Sequence, residues 1–498
     1  MTQLDIPDTL TSLRSAARAG ARKLNISRPR NWSWFDVSFK TLLVGFYVGL
    51  LWLAVVTGAL FDPLISLYEN PIGRIFMISA GIYTTIMMLA LAVKAIVVMF
   101  YKPWESVSDA QLPTVTVIIP AYNEGPDVAK TIESILASDY PREKMQLICI
   151  DDGSKDDTWQ HIDRVAQQYP ESICAIHLTK NGGKRHGMRI GFALAAGDVL
   201  VTADSDCIFE PQALRNLVTP LVVDQRIGAV AGNIKVQNRS AGVIPRMLRA
   251  GFVQSFDFAR AYQSKIRCVQ CTPGAFSAYR RSAVDRILPQ WVDQKFLGKP
   301  STIAEDRAIT NLLLRDGFEV VFQSNATAWT NVPVTYKGLA KMYMRWERGN
   351  VRENLTYATF CWKRFRKRYW MLANLDFVLL LSEEFLPYIL IAASMLYMVV
   401  NPFFALKYLA FVVLFSAVMQ LYYIKQEKNS DFIYGILYSL FYFTALWWVV
   451  PYSIATAANG SWMTRALPAT EGQPAIETAP ILVQEPAGPY RAAERFAA

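Results

Sequence analysis

Val115-Thr116-Val117-Ile118-Ile119-Pro120 is a nearly continuous apolar run, and Ala121-Tyr122-Asn123-Glu124-Gly125 follows it with the composition of a turn. The run predicts a buried strand, and helical spacing of apolar residues over 128–136 predicts a helix directly after the turn. Apolar runs at 147–150, 175–178 and 198–203 predict three further strands. Because strands that alternate with helices form βαβ units, the chain is predicted to contain a parallel sheet.

Polar side chains follow three of these strands at the point where each strand ends. They are Tyr122, Asn123, Glu124, Asp151, Asp152, Asp204 and Asp206. Ligands of parallel α/β sheets bind beyond the carboxyl ends of the strands, so we expect these side chains to line one site.

Asp204-Ser205-Asp206 is the most distinctive part of this set. Two carboxylates one residue apart can hold a hard divalent cation, which can bridge a diphosphate. An isolated pair of this kind is more often a solvated acidic loop. Its position at a strand end, together with the other polar strand ends, favours the metal site.

A glycine-rich basic loop, Lys180-Asn181-Gly182-Gly183-Lys184-Arg185, lies between the third predicted strand and the acidic pair. Flexible backbone beside Lys and Arg suits a diphosphate. The chain has neither a P-loop pattern nor G-x-G-x-x-G, which disfavours ATP and dinucleotides.

Two downstream segments carry further candidates. Ala304-Glu305-Asp306-Arg307 opens a predicted helix, and a carboxylate there can take a proton from an acceptor hydroxyl as a general base. Ordinary acidity at a helix N-terminus is the alternative for Glu305 and Asp306. Arg345-Trp346 follows in a basic, aromatic stretch. A Trp face is a platform for a sugar ring, and an interfacial aromatic belt is the alternative.

Five long apolar stretches predict membrane helices on both sides of this region. Hydrophobic residues make up 52% of the 498 residues and charged residues only 18%. The stretches are 42–60, 77–100, 377–400, 403–424 and 432–457, each long enough to span a bilayer as a helix. The third contains Glu383 and Glu384, which is unusual for a span. The chain is therefore predicted to be an integral membrane protein.

Charge predicts its orientation and its partners. Six Arg or Lys residues between Arg14 and Arg30, and Lys40 after them, predict a cytosolic N-terminus. Two crossings then return the chain, so the middle domain is predicted to be cytosolic as well. The net charge of +10 suits anionic headgroups and a phosphate-bearing substrate. No nucleic acid is expected, because the basic residues form no recognised binding module.

The order of Pro-Ala-Tyr-Asn-Glu, Asp-Asp-Gly-Ser, the Asp204/Asp206 pair, Glu305-Asp306 and Arg345-Trp346 resembles processive family 2 glycosyltransferases. That group includes hyaluronan, chitin and cellulose synthases and the nodulation chito-oligosaccharide synthases. The resemblance runs from about 115 to 346. The spacing of Arg307 and Thr310, the segment 274–281 and the pair Arg352-Glu353 look similar to the hyaluronan and chito-oligosaccharide branch. Trp462-Met463-Thr464-Arg465 also resembles the gating motif of that branch, with Met463 in place of the usual Gly.

The resemblance implies a fold and a domain organisation. The fold is an α/β GT-A (nucleotide-diphospho-sugar transferase) cytosolic domain inserted between transmembrane α-helices. The expected parts are a basic cytosolic N-terminus (1–40), two transmembrane helices (41–102), the catalytic domain (103–350), interfacial helices (351–376), a C-terminal transmembrane region (377–458), and a gating-like motif with a disordered tail (459–498). The location implied is the plasma (inner) membrane, with several crossings.

The resemblance also implies a role for each site residue. Tyr122 and Glu124 would hold the uridine, Asp152 would contact the uracil edge, and Lys184 would contact the diphosphate. Asp204 and Asp206 would hold Mg²⁺ or Mn²⁺. Asp306 would be the general base, next to Glu305. Arg345 would help to bind the phosphates and Trp346 would stack on the acceptor sugar. Trp462 and Arg465 would belong to a loop that closes over bound UDP.

Two features depart from the family pattern. Met342 occupies the position of the usual Gln three residues before Arg345, which weakens the expected acceptor contacts. Three crossings after the middle domain would also place Trp462 and Arg465 outside the cell, away from UDP. Either 432–457, which contains Pro451, is a re-entrant or split pair of helices, or the tail motif is coincidental.

The expected function is an inverting, processive β-glycosyltransferase in the membrane. It would polymerise a polysaccharide from UDP-N-acetylglucosamine, alone or with UDP-glucuronate, and pass the growing acceptor across the bilayer. The alternatives are a UDP-glucose-dependent β-glucan synthase, a non-processive enzyme that adds one sugar to a lipid carrier, and a catalytically silent glycan-binding component of a secretion complex. Partners in secretion are left open.

Overall fold

The computed structural model describes residues 34–60, 68–363, 368–460 and 482–484, and a nine-stranded sheet forms the centre of this part of the chain. The spatial order of the strands is β11-β3-β2-β1-β4-β7-β6-β10-β5. In chain order they are β1 (Val115–Ala121), β2 (Met145–Asp151), β3 (Ile173–His177), β4 (Val199–Ala203), β5 (Cys207–Phe209), β6 (Ile227–Val236), β7 (Phe276–Arg280), β10 (Glu319–Thr330) and β11 (Leu482–Gln484), with a separate hairpin of β8 (Lys295–Phe296) and β9 (Lys299–Pro300).

Helices cover the sheet and extend beyond it. They are α1 (Trp34–Val56), α2 (Pro71–Met99), α3 (Asp127–Leu136), α4 (Thr158–Gln168), α5 (Lys184–Leu194), α6 (Ala213–Val223), α7 (Val243–Phe252), α8 (Arg260–Lys265), α9 (Arg281–Val292), α10 (Glu305–Arg315), α11 (Tyr336–Ala358), α12 (Trp370–Val400), α13 (Phe403–Glu427), α14 (Phe432–Phe441) and α15 (Val449–Ala455). π-helical turns join α7 to α8 (Val253–Ala259) and continue α14 (Tyr442–Leu446).

The four predicted strands are confirmed, and they are parallel. β1 pairs with β2 and β4, and β2 pairs with β3, all in parallel register. Their carboxyl ends therefore meet at one edge of the sheet. The other half is mixed, because β7 runs antiparallel to both β4 and β6. β7 was not predicted from the sequence, because this short strand shows no clear alternation of apolar and polar residues.

The sheet is buried on both faces, which explains the apolar runs of its strands. Val117 and Ile119 of β1 pack into one hydrophobic cluster, and Ile118 packs into the other. Gly191 of α5 allows the helix to approach this strand closely, because a Cβ there would lie 2.3 Å from Ile118 Cγ2.

Apolar helices flank the sheet domain at both ends of the chain. Among the described residues, four helices are long and apolar enough to cross a membrane, namely α1, α2, α12 and α13. The remaining apolar stretch is a pair of helices bent by 47° between Leu446 and Val449. Pro451, suggested by the sequence as the break, lies instead in the first turn of α15, where proline is tolerated.

The bent pair begins and ends against the sheet domain. Glu427, just before it, makes an ion pair with Lys235 of β6 (Nζ to Oε1, 2.9 Å). After it, the carbonyl of Gly460 accepts a hydrogen bond from Thr302 (2.7 Å). Residues at both ends of the segment 432–460 therefore contact the sheet domain.

Several predicted boundaries can be compared with these elements. The predicted boundary at 350 falls inside α11, and α12 begins before the predicted start of the C-terminal membrane region. Glu384 of α12 accepts a hydrogen bond from Asn354 of α11, so it faces the protein rather than lipid. Trp462 and Arg465 lie outside the described residues. In the predicted disordered tail, β11 pairs antiparallel with β3.

Candidate functional site

A cavity of about 1000 Å³ opens at the carboxyl ends of β1, β2 and β4. Ten of the side chains predicted from the sequence as functional line it: Tyr122, Glu124, Asp152, Lys184, Asp204, Asp206, Glu305, Asp306, Arg345 and Trp346. The structure thus brings together residues that the sequence spreads over more than two hundred positions.

Lys184 forms the electrostatic centre of the cavity. Its ammonium contacts the Asp204 carboxylate and lies 3.4 Å from Glu305 Oε1. Burial alone would lower the pKa of Lys184. The neighbouring carboxylates of Asp204 and Glu305 together have a larger effect, so the pKa is raised. Gly274 leaves the space for it, because a Cβ there would lie 2.7 Å from Lys184 Nζ. The sequence did not predict that Lys184 joins the metal candidates to the catalytic candidates.

The acidic pair occupies the turn between β4 and β5. Thr131 donates a hydrogen bond to the carbonyl of Ser205 (2.8 Å), and the Asp204 amide donates to the carbonyl of Ala275 (3.2 Å). These bonds hold the turn from both sides. No group of three or more His, Cys, Asp or Glu side chains in the described part of the chain is arranged to hold a metal ion. Two carboxylates fit a hard cation that takes its other ligands from phosphate and water.

Asp152 ties the glycine-rich loop to the end of β2. Its two carboxylate oxygens accept hydrogen bonds from the amides of Gly182 (2.8 Å) and Gly183 (2.7 Å). Burial raises the pKa of Asp152 to about 7, even though these two bonds lower it. The loop leads directly into α5, which begins with Lys184. Asp152 therefore positions Lys184. Sequence analysis did not predict this role, although the two glycines before Lys184, whose amides Asp152 binds, were a signal for it.

The loop after β1 is held by the loop after β2. Asn123 adopts a left-handed conformation (φ 53°), and its amide donates a hydrogen bond to Ser154 Oγ (2.9 Å). The Glu124 amide donates to Thr158 Oγ1 (2.9 Å) at the start of α4. These bonds fix Tyr122 and Glu124 at the rim of the cavity.

Glu305 and Asp306 are adjacent at the start of α10 but have different surroundings. Asp306 accepts hydrogen bonds from the amides of Gly274 (3.1 Å) and Arg307 (2.7 Å). Burial raises the pKa of Asp306, and the neighbouring Glu305 carboxylate raises it further. Glu305 instead faces Lys184. A carboxylate of raised pKa is a better proton acceptor, and the Glu305 carboxylate is engaged by Lys184, so Asp306 is the stronger candidate base.

Trp346 of α11 also lines the cavity. Its ring is 37% exposed and lies 5.8 Å from the ring of Tyr343, at 88°, and 6.1 Å from the ring of Phe252. Tyr343 was not predicted, although a residue three positions before Trp346 shares its helix face. Met342 is buried and also lines the cavity. An aromatic wall therefore stands where the sequence predicted a single Trp.

The cavity continues past Trp346 between the membrane helices. Residues of α12, α13 and the bent pair line this part: Leu380, Glu383, Glu384, Tyr388, Phe415, Met419, Gln420, Tyr438, Ser439, Tyr442 and Val450. From the sequence, these residues were predicted only as parts of apolar stretches and not as residues that line a cavity. Helix packing, rather than a local sequence pattern, brings them together.

Comparison with protein families identifies a known family for the sheet domain. Residues 113–349 match the family model described as "Glycosyltransferase like family 2". An N-acetylglucosaminyltransferase of Mesorhizobium japonicum is 33% identical over 51% of this chain and 58% of its own length. One from Bradyrhizobium diazoefficiens is also 33% identical, over 49% and 50%. The chain thus spans about half the length of these two relatives.

A further relative matches over a longer range. A hyaluronan synthase of Streptococcus pyogenes serotype M3 is 27% identical over 78% of this chain and 91% of its own length. Among solved structures, the mannosyltransferase PcManGT from Pyrobaculum calidifontis, in complex with GDP-Man and Mn²⁺, superposes with a TM-score of 0.51 at 20% identity. It covers 74% of this chain and 96% of its own. The predicted GT-A fold is confirmed, and the flanking apolar helices indicate a membrane protein.

Proposed function

Residues 113–349 form a family 2 glycosyltransferase domain, and on this premise we propose that the protein is an inverting, processive β-glycosyltransferase of the membrane. It polymerises a polysaccharide from a UDP-sugar, with UDP-N-acetylglucosamine as the preferred donor, and passes the chain between its membrane helices. One observation carries the proposal. The cavity that collects the predicted donor-site residues at the sheet edge continues past Trp346 into the membrane helices.

The donor end of the cavity suits a nucleoside diphosphate. Tyr122 and Glu124 hold the uridine, and Asp152 contacts the uracil edge while it holds the glycine-rich loop. Lys184 contacts the diphosphate. Its present partners, Asp204 and Glu305, keep the ammonium in place at the sheet edge. A diphosphate offers it stronger, charge-assisted hydrogen bonds.

Asp204 and Asp206 hold Mg²⁺ or Mn²⁺ together with the diphosphate. Their carboxylates are hard oxygen donors in a turn that hydrogen bonds hold from both sides. When bound, the cation neutralises charge on the departing UDP.

Asp306 acts as the general base of a single displacement. As the acceptor hydroxyl forms its bond to the anomeric carbon, Asp306 takes the hydroxyl proton, and the bond from that carbon to UDP breaks on the opposite face. The result is inversion, without a covalent intermediate. The raised pKa of Asp306 supports this role. Glu305 keeps Lys184 close to the reaction centre.

Trp346 stacks on the acceptor sugar, with Arg345 beside it near the phosphates. The adjacent rings of Tyr343 and Phe252 widen the apolar surface that a sugar face needs. An acceptor that stays in the continuous cavity after each transfer is extended again, which makes synthesis processive.

The catalytic domain faces the cytosol, and the membrane is the plasma (inner) membrane. Four crossings by the candidate spans α1, α2, α12 and α13 would leave the start of α1, the sheet domain and Gly460 on one side. Gly460 lies two residues before Trp462, and it is hydrogen-bonded to Thr302, close in sequence to Glu305. This supports a gating role for Trp462 and Arg465 over bound UDP. It also removes the difficulty that three crossings after the catalytic domain would place these two residues outside the cell.

Donor screening tests the function. The full chain in membranes is incubated with Mg²⁺ or Mn²⁺ and one radiolabelled UDP-sugar at a time, and product length is measured on a sizing gel. We expect polymer from UDP-N-acetylglucosamine. Polymer from UDP-glucose alone would establish the β-glucan synthase instead. Single-sugar transfer to lipid would exclude processivity, and UDP binding without transfer from any donor would indicate the silent glycan-binding component.

A further inference from the structure

The backbone is strained directly before the proposed base. Ala304, which precedes the first residue of α10, adopts a left-handed conformation (φ 59°, ψ 38°). A residue with a Cβ adopts this conformation at a cost in free energy, so it persists only where the surrounding structure holds it. The indole of the buried Trp291 donates a hydrogen bond to the Glu305 carbonyl (3.0 Å) and fixes the backbone just beyond. The backbone at Ala304 therefore sets the direction in which Asp306 enters the cavity.

Gly349 of α11 packs against this strained residue. A Cβ added at Gly349 would lie 2.8 Å from the Cβ of Ala304. Carbon atoms in good contact are about 3.5 to 4.0 Å apart, so the gap has no room for a second methyl group. Gly349 is buried, and both residues line the cavity. The absence of a side chain at Gly349 thus allows α11 to approach the start of α10.

The contact lies between the two groups that the proposed reaction must bring together. Gly349 follows Trp346 by three residues, so the two share one face of α11. On the other side of the contact, Asp306 follows Ala304 by two residues. The distance between the proposed acceptor platform and the proposed base therefore depends on how closely α11 approaches Ala304.

Hydrogen bonds further along both helices keep this approach from relaxing freely. The Arg307 guanidinium of α10 donates to the side-chain oxygens of Asn350 and Asn354 of α11, both at 2.8 Å. The Asn311 side-chain amide donates to the carbonyl (2.9 Å) and to the carboxylate (2.8 Å) of Glu353. α10 and α11 are thus joined on both turns that follow the contact.

We propose that Ala304 and Gly349 are positioning residues, whose contact sets the distance from Asp306 to the acceptor hydroxyl. The proposal rests on the proposed function. A methyl group added at Gly349 separates the helices by roughly 1 Å. A displacement of about 1 Å between reacting groups can lower a rate by about a hundredfold.

Hydrolysis of the donor provides the internal reference. In that reaction the water oxygen forms the bond to the anomeric carbon, Asp306 takes a proton from the water, and the bond to UDP breaks. Water moves with the carboxylate, whereas a sugar stacked on Trp346 does not. A change in the contact should therefore lower transfer much more than hydrolysis, while a general loss of folded protein lowers both rates equally.

The ratio of transfer to hydrolysis tests the proposal. The purified full chain in nanodiscs receives Mn²⁺ and the UDP-sugar that gives polymer in donor screening, radiolabelled in the sugar. Labelled glycan and free labelled sugar are separated and counted. In Gly349→Ala, transfer should fall by about tenfold to a hundredfold and hydrolysis by less than about threefold.

Exchange of the methyl group between the two positions should rescue transfer. In the Ala304→Gly/Gly349→Ala double variant, the Cα at position 304 is the nearest atom to the new Cβ, at 3.8 Å, which is an ordinary contact. The ratio should return to within about threefold of the wild-type value. Gly81→Ala in α2 is the matched control, because a Cβ there meets nothing within 4 Å. It should leave both rates unchanged.

The outcomes separate this proposal from the proposed function. Equal loss of transfer and hydrolysis in Gly349→Ala, an unchanged ratio, or a double variant that does not restore the ratio would overturn the positioning role. If Gly349→Ala fails to fold, the double variant decides, since it is expected to fold and to transfer near the wild-type rate. A wild-type chain that transfers sugar from no UDP-sugar would refute the proposed function, and the positioning role with it.

Discussion

The two ends of the cavity treat charge in opposite ways. At the sheet edge, a single cation, Lys184, contacts the two carboxylates of Asp204 and Glu305 and can exchange these partners for a diphosphate. Towards the membrane helices, Glu347 of α11 and Glu384 of α12 line the cavity, and each accepts a hydrogen bond from an asparagine amide. The sheet edge thus holds a cation among its carboxylates, whereas the described lining residues of α12, α13 and the bent pair include no Lys or Arg. Substitutions at the two ends should therefore alter different steps.

The largest effect is expected from Asp306→Asn at the sheet edge. A general base contributes about 10² to 10⁴ in rate, so transfer should fall by about 10³ or more. UDP affinity should stay within about twofold, because the proposed role of Asp306 concerns the acceptor hydroxyl rather than the nucleotide. Transfer of radiolabelled sugar and calorimetric titration with UDP measure the two quantities.

Asp316→Asn is the matched control for that change. Asp316 follows the same helix and forms a surface ion pair with Arg286 (3.0 Å), away from the cavity. Transfer should remain near the wild-type rate. Comparable loss in both variants would show that Asp306 acts through helix stability, and would remove the base from the mechanism.

Lys184→Met should give the second largest effect, on donor binding. The change removes a charge-assisted contact to the diphosphate and leaves Asp204 and Glu305 without their cation. We expect the KM for the UDP-sugar to rise by about 30-fold or more. Lys180→Met, in the same loop but on its exposed side, should leave KM nearly unchanged. Equal effects would mean that the loop acts through general positive charge.

Trp346→Ala tests the boundary between the two ends. Loss of a stacking surface worth about 1.4 kcal/mol releases the acceptor about tenfold faster. The product should become correspondingly shorter, whereas UDP affinity should not change. Trp362→Ala, at a Trp that is 62% exposed and does not line the cavity, is the control. Unaltered product length in the Trp346 variant would exclude acceptor stacking.

The smallest effect is a pH dependence at the sheet edge. A carboxyl whose pKa is raised to about 7 is ionised above that pH and gains a proton below it. Protonation removes acceptor capacity from Asp152, which should loosen the glycine-rich loop and weaken the proposed contact of Asp152 to uracil. UDP affinity should fall about threefold to tenfold from pH 8 to pH 6. In Asp152→Asn this slope should flatten to that of the UDP phosphates alone. An identical slope in both proteins would contradict the role of Asp152.

Sequence analysis predicted the sheet edge far better than the membrane part. β1, β2, β3 and β4 are short apolar runs, and parallel pairing brings the residues after them to one place, so Tyr122, Asp152 and Asp204 could be grouped without coordinates. Their hydrogen-bond partners could not, because Asp152 and the Gly182 amide meet through loop conformation. Gln420 and Tyr442 could not be predicted as cavity-lining residues from the sequence. The periodicity of apolar residues does not determine which faces of long helices pack together.

The most direct test of the account follows polymer made by sealed inside-out membrane vesicles that contain the full chain. Radiolabelled UDP-N-acetylglucosamine and Mg²⁺ or Mn²⁺ are supplied outside, and a glycosidase specific for that polymer is added before or after detergent. We expect labelled polymer inside the vesicles, resistant to the enzyme until detergent opens the membrane, and no such polymer with Asp306→Asn. Polymer that is fully digested without detergent, or no polymer at all, would contradict synthesis coupled to passage through the membrane helices.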